Sequence, residues 1–414
     1  MYFPVIYTEF VMFITLVVFF LILSVLVLIH EFGHFIAAKK FGIRVEEFGF
    51  GLPPRVWGKK IGETIYSINW LPIGGFVRLF GEESEEDGGV KIKNIDRAFY
   101  ARPLLQRTIV IVAGVVMNFI LAVFIISFLY TQGVPIDTRR VHIEMVEKDS
   151  PAELGGLKRY DVLLEFNKIK LLDREEFIKK TNDHLGEEVT LTVLRGANLE
   201  HYQQLDEACP SCEVLNITLV PRKDPPEKYL PPLNENSNFT VIKKTVRKLL
   251  NIKEPEVSKP LKEGPIGVVI SQSETITYSP LRAPFVGLFE SVTRSLELGK
   301  GIAVTIWKLI SLQPVSKDIA GPIGIAQFTG MAITLGKKAV LELLGLLSLN
   351  LAIVNILPFP ALDGGRLLFI LIEGISGKRV KLTWERYIHQ IGMVILLTLI
   401  VLVTVNDLMR IISQ

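Results

Sequence analysis

The sequence predicts a multi-pass α-helical membrane protein with four transmembrane helices, an α+β domain inserted between the second and third, and a membrane-associated β-hairpin after the first. Three observations predict it. Hydrophobic residues make up 49% of the 414 and mean hydropathy is +0.38, too apolar for an ordinary soluble enzyme. Four stretches are almost free of charge and about 16 to 25 residues long, the length that crosses a hydrocarbon core. Between two of them lies a long segment of short β-type runs separated by polar turns. A formal net charge of +3 is small for this length and argues against nucleic acid as a partner. Two cysteines exclude a disulfide-built scaffold.

Residues 1–38 hold the first span. No basic residue precedes the apolar run 10–29, and the ionisable HEFGH continues directly from it, so the run reads as a retained helix and not a cleaved signal. Residues 39–106 form a loop in which GETIYSINWLPIGGFVRLFGEE alternates apolar and polar residues around a Pro-Ile-Gly-Gly turn, as a hairpin beside the membrane does. The acidic run 82–87 reads as a solvated loop. The second span lies in 107–132. Residues 133–222 form the α+β domain, with strands in VHIEMV, DVLLEFN and EVTLTVLR and a helix over 174–184.

Residues 223–340 connect that domain to the third span. The stretch 221–265 is rich in Pro, Lys, Glu and Asn and reads as an extended linker. The stretch 283–312 is apolar but carries Glu290, Arg294, Glu297, Lys300 and Lys308, each expensive at a bilayer centre, so it reads as amphipathic and lying on the membrane surface. The third span and the LDGG that follows it occupy 341–375, and the fourth span 386–410. Basic residues crowd the loop after the first span, from Lys39 to Arg107, and recur before the fourth at Lys378 and Arg386. Both loops are therefore cytoplasmic, and the long middle segment and both chain ends face outside, the periplasm in a Gram-negative cell.

His30, Glu31 and His34 form H-E-x-x-H. On a helix, positions four apart differ by about 40° in direction, so both imidazoles reach one ion while Glu31 stands beside its open position, able to take a proton from a bound water. Ionisable residues at the end of an apolar span point to a site inside the membrane. The competing reading ends the helix near Ile29 and leaves HEFGH at the wetted interface. Such a metal needs a third protein ligand, and Asp363 in NILPFPALDGGR is the candidate: two prolines break the helix and two glycines permit close backbone approach. The alternative is an aspartate that only caps a helix. Two histidines and a carboxylate also suit iron or manganese; motif chemistry favours zinc.

These residues resemble the site-2 protease family of intramembrane zinc metalloproteases, in particular the bacterial branch of the regulator of sigma-E protease. The match rests on HEFGH, on NxxPxPxLDGGR (Asn355, Pro358, Pro360, Leu362, Asp363, Gly364, Gly365 and Arg366), and on SPAELGGLKRYDVLLEFNKIKL, which looks like the core of a PDZ domain, and it covers nearly the whole chain. The resemblance implies Zn2+ held by His30, His34 and Asp363, Glu31 as the catalytic base, and Asn355 holding the substrate backbone or oxyanion. It also implies that Gly75, Phe76, Val77, Arg78 and Leu79 present a transmembrane substrate in extended form, since an unwound helix regains its hydrogen bonds at a strand edge. The inserted domain is then PDZ-like, a fold that binds peptide ends by strand addition; whether its groove does so here is left open by the residues. The implied partner is a single-span membrane protein already shortened by another protease, cleaved in the bacterial inner membrane in a signalling cascade or in removal of remnant signal peptides. Tyr160 and Lys168 stand where the family usually has glycine, and Val115 where it usually has proline; Gly114 and Asn118 keep its pattern. GPIGIAQ, over 321–327, matches a family stretch of no derived role.

Two other functions fit parts of the sequence. One is a membrane-anchored zincin that cuts soluble or interfacial polypeptides. The other is a non-catalytic PDZ membrane scaffold, against which the intact Glu31 argues. Cys209 and Cys212 form C-x-x-C, but only His201 is near enough in sequence to share a metal, so a local disulfide is expected in an oxidising compartment.

Overall fold

The computed structural model describes residues 3–82, 86–87, 90–91, 95–196, 212–228, 261–262, 264–311, 321–378, 380 and 382–413. Along the chain the elements are α1 (Phe3–Lys40), β1 (Val45–Ile61), β2 (Thr64–Leu79), α2 (Leu104–Gln132), β3 (Val134–Val146), α3 (Pro151–Leu154), β4 (Val162–Phe166), β5 (Ile169–Lys170), α4 (Arg174–Asp183), β6 (Val189–Arg195) and β7 (Glu213–Leu219). After these come β8 (Val268–Ile276), α5 (Ala283–Ile310), α6 (Pro322–Leu335), α7 (Lys337–Ile356), α8 (Asp363–Ser376) and α9 (Leu382–Ser413). The chain divides into two units, one of residues 1–129, 236–252 and 281–414, the other of 130–235 and 253–280.

The first unit carries the membrane helices. Among the described residues four helices are long and apolar enough to cross a bilayer: Met12–Lys40, Leu104–Gln132, Lys337–Ile356 and Thr383–Met409. This is an integral membrane protein. α5 does not meet that test and exposes Phe285, Phe289, Val292 and Leu296 along one side, at helical spacing. α1 runs unbroken through HEFGH to Lys40, so the helix does not end at Ile29. The third span stops earlier than the apolar run does: α7 ends at Ile356, Leu357 turns extended, and Asp363 opens the separate helix α8. Pro358 and Pro360 account for the break, since neither can donate to a helix ladder.

β1 and β2 pair antiparallel from a turn at Gly62 and Glu63, and the register is doubled: Phe48 lies opposite both Tyr66 and Val77, and Phe50 opposite both Ile68 and Gly75. Residues 75–79 therefore flank residues 45–50 on one side only, and among the described residues no strand pairs with their outer edge. A buried carboxylate stiffens the sheet. Glu47, 3% exposed, accepts from Arg55 at 3.0 and 2.5 Å and from the Ser67 hydroxyl at 2.6 Å. At the far turn Glu63 takes bonds from Arg97 and Lys39, and the Arg97 guanidinium, with Lys39 beside it, holds its carboxyl down at about 2.

Distant helices of this unit are joined by polar contacts that charge alone does not foretell. Buried Arg107 of α2 forms a forked pair with Glu373 of α8 at 3.0 and 2.6 Å. Asp407 of α9, 4% exposed, accepts the Gly324 N–H at 2.9 Å in the first turn of α6. A Cβ on Gly321 would meet that carboxylate at 2.8 Å, which gives the GPIG stretch a structural role: it lets α9 cap α6.

The second unit is a six-stranded sheet in the order β8-β3-β4-β6-β7, with β5 on β4. Alternation drives it: Val189, Leu191 and Val193 of β6 are fully buried while the threonines between them face outward. Phe166, Phe177 and Ile266 complete the core. Ser150 caps α3 and Asp173 caps α4, each accepting the backbone N–H three residues on. The sheet also takes in β8, which lies in the stretch the composition assigns to a connecting segment. Its partner β3 supplies the hydrogen bonds that no local pattern in a single strand reveals. Tyr160, Asn167 and Lys168 adopt φ of 70°, 48° and 64°, so the left-handed turns form without the usual glycines. Cys212 is disulfide-bonded; Cys209, His201 and most of 221–265 lie outside the described residues.

Candidate metal centre

Four helices, α1, α2, α7 and α8, build the centre. On α1, His30 and His34 point to the same side and are 6% and 8% exposed. They lie against α2 because two glycines remove the intervening side chains. A Cβ on Gly33 would strike the Ala113 carbonyl, and one on Gly114 would strike the His34 ring and reach 2.9 Å from His30 Cε1. α2 also orients the rings. His34 Nδ1–H donates to the Val110 carbonyl at 2.8 Å, which leaves Nε2 free to bind. The Asn118 amide lies 3.3 Å from His30 Nδ1. A metal on His30 Nε2 requires the proton on Nδ1, and the amide end that accepts it is Oδ1. That oxygen is buried without a partner as the amide stands, and exchanging the two ends of the amide supplies one. Ser348 of α7 ties the arrangement to the third span by donating to the Asn118 carbonyl at 2.7 Å.

Asp363 arrives from 333 positions away, with Oδ2 2.9 Å from His30 Nε2 and 3.3 Å from His34 Nε2; the two Nε2 atoms are 3.2 Å apart. A tetrahedral ion with bonds of about 2.0 to 2.1 Å separates its ligands by about 3.3 Å, so these three donors fit zinc with one position left over. Asp363 does not cap a helix. It is the first residue of α8, whose N-cap Leu362 makes no side-chain bond, and its carboxylate goes to the imidazoles. Gly364 and Gly365 allow this because a Cβ on the first would strike the Leu357 carbonyl and on the second the Phe359 carbonyl. The first turn of α8 is thus pressed onto the loop before it.

The remaining candidates gather at the same place. Asn355, on the last turn of α7, puts Nδ2 3.4 Å from His30 Nε2. Glu31 Oε2 accepts the Val77 N–H at 3.1 Å, so the outer edge of residues 75–79 meets the glutamate of HEFGH. The next outward amide, Leu79 N–H, donates to Glu82 at 3.3 Å, and Glu82 in turn pairs with Arg366, three residues after Asp363. Glu82 is therefore not part of a solvated loop, as the acidic run suggested; its side chain is 16% exposed. An arginine trailing LDGG in an apolar region needs a nearby acid, and that need was the available signal. Nothing in the local sequence singled out Asn118 as a partner of His30.

The comparisons with known proteins agree with this chemistry. The model of peptidase family M50 matches residues 18–399. A protein of Clostridium perfringens named as a proposed zinc metalloprotease is 31% identical over 386 residues, 93% of this chain and 96% of its own length. Zinc metalloprotease RasP of Shouchella clausii is 28% identical over 473 residues, 96% of this chain and 100% of its own. The regulator of sigma E protease of Haemophilus influenzae is 27% identical over 442 residues, 95% and 98% of the two chains.

Proposed function

Because this chain belongs to peptidase family M50, the site-2 proteases, and is a zinc metalloprotease, we propose that it hydrolyses a peptide bond in or near a transmembrane segment of another membrane protein. Zn2+ is the expected cofactor, and His30, His34 and Asp363 are the residues that would hold it. Bound there, it would supply a Lewis acid for the scissile carbonyl and lower the pKa of water to about 7.

The observation that carries the reading is the bond from Val77 N–H to Glu31. It joins an open strand edge to the one carboxylate beside the ligand set. A transmembrane helix must unwind before its amide is reachable, and each amide freed in lipid needs a new partner. An extended substrate laid along Gly75, Phe76, Val77, Arg78 and Leu79 finds those partners by taking the place of the Glu31 and Glu82 carboxylates on the Val77 and Leu79 amides, which releases Glu31 beside it. Glu31 then takes the proton of the attacking water and returns it to the leaving amine. The Asn355 amide, on the His30 side of the ligand set, donates to the substrate carbonyl or the developing oxyanion.

The reading extends to the second unit as a PDZ-like domain outside the bacterial inner membrane, with β8 at one edge of its sheet open to strand addition, and with both chain ends on that outer side. The substrate is then a single-span protein shortened beforehand, such as an anti-sigma factor or a remnant signal peptide. The test supplies a tagged single-span substrate to the purified protein and to Glu31→Gln, then maps the cut. A cut inside the apolar segment, reduced about 10²- to 10⁴-fold in Glu31→Gln, is expected. Cleavage of soluble unfolded protein alone would leave a membrane-anchored zincin, and no cleavage by either form a scaffold.

A further inference from the structure

We infer that His389 is a positioning residue for the Asp363 carboxylate: from α9 it holds the turn at Ala361 that aims Asp363 at the two imidazoles. The inference rests on the reading of Asp363 as a zinc ligand. Ala361 stands two residues before Asp363 and has φ of 78°, a left-handed conformation that alanine rarely adopts. Its N–H donates to His389 Nδ1 at 2.9 Å. To accept that bond the neutral ring must carry its proton on Nε2, and His389 Nε2 is buried with no hydrogen-bond partner among the described residues. Leaving that atom unpaired works against folding, so the bond to Ala361 is the polar contact the ring is placed to make.

A second, independent contact falls on the adjacent residue. Gly392, three positions further along α9, brings the helix against the loop so closely that a Cβ there would strike Pro360. Among the described residues the other backbone bonds of this turn are local, Phe359 N–H to the Leu357 carbonyl and Leu362 N–H to the Phe359 carbonyl. They shape the loop without fastening it to another helix. α9 thus grips Pro360 through a missing side chain and Ala361 through an imidazole. Without the imidazole, Ala361 is free to relax toward negative φ, which turns the chain entering α8 and swings the carboxylate off the imidazoles.

The test measures zinc affinity of the full-length protein in detergent by competition with a chelator, alongside resistance to proteolysis as a check on folding. His389→Leu should bind zinc about 10- to 100-fold more weakly. His389→Asn places an oxygen where Nδ1 was and should recover most of the loss, whereas His389→Gln, whose acceptor lies further out, should not. Adding Ala361→Gly to His389→Leu should restore part of the affinity, because glycine takes positive φ without strain. Wild-type affinity in folded His389→Leu overturns the inference, as do equal affinities of the Asn and Gln variants, a comparison that stands even if the Leu variant does not fold. Asp363→Asn separates the two readings. If it leaves zinc affinity unchanged, the ligand assignment itself fails; if it weakens binding while His389→Leu does not, only the role of His389 is lost.

Discussion

The two segments that meet at the candidate metal centre present their side chains in opposite ways. HEFGH lies inside an unbroken helix, so the helical repeat sets the spacing of His30 and His34, and α2 supplies the close approach and the ring bonds. LPFPALDGG lies where a helix has been interrupted, so its single carboxylate depends on a loop, a left-handed alanine and contacts from other elements. A regular element carries its geometry with it. An irregular one borrows geometry from its neighbours, and its ligand is correspondingly easier to dislodge without touching it.

The largest expected effect treats the two segments alike: His34→Ala and Asp363→Ala should each lose zinc on dialysis against a chelator and with it all cleavage. Retention by either variant would remove that residue from the ligand set. The next separates them. Gly114→Ala drives a methyl into both imidazoles and Gly365→Ala drives one into the Phe359 carbonyl, so each should weaken zinc about 10- to 100-fold. Thermal unfolding should fall more for Gly114→Ala, where two packed helices must part; the reverse order would show the loop to be the stiffer segment. Glu82→Gln removes the negative charge that pairs with Arg366 and leaves a single oxygen to accept from both Arg366 and Leu79 N–H. The pair is partly exposed, so a change of about two- to fivefold in cleavage is expected, with zinc binding nearly unchanged.

The smallest effect concerns the helix-borne side alone. Glu63 ties Lys39, at the end of α1, to Arg97, and its carboxyl is held at about 2, below the unfolded value of about 4.3. A depressed carboxylate stabilises the fold fully above its unfolded pKa and loses that contribution as pH falls toward its folded one. Unfolding temperatures of the wild type and Glu63→Gln should therefore differ at pH 5 and converge near pH 2. A constant gap across that range would mean the ion pairs contribute nothing that titrates.

Much of this was legible from residue order. Four apolar lengths, the i, i+4 histidines and the prolines before Asp363 are local signals: four apolar helices are present, one of them carries both histidines unbroken, and the prolines end the third span earlier than its apolar run. The hairpin was legible as strands, while the expectation that residues 75–79 form an edge came from the family resemblance, because the alternation that marks a strand is silent about which strand lies beside it. The strand β8 was missed for the same reason. Glu82 was misread because a run of acids looks solvated unless its distant counter-charge, Arg366, is known to fold back on it.

Residue order by itself determined the membrane class, the number of apolar spans and the candidate metal-binding side chains, since length, hydropathy and helical spacing are properties of a few neighbouring residues. Tertiary structure alone decided that Asn118 and Val110 orient the rings, that Val77 meets Glu31, and that His389 and Gly392 clasp the loop before Asp363. Those pairings join residues tens of positions apart, from 28 for His389 and Ala361 to 88 for Asn118 and His30. They depend on which faces of packed helices come together, and no local periodicity encodes that.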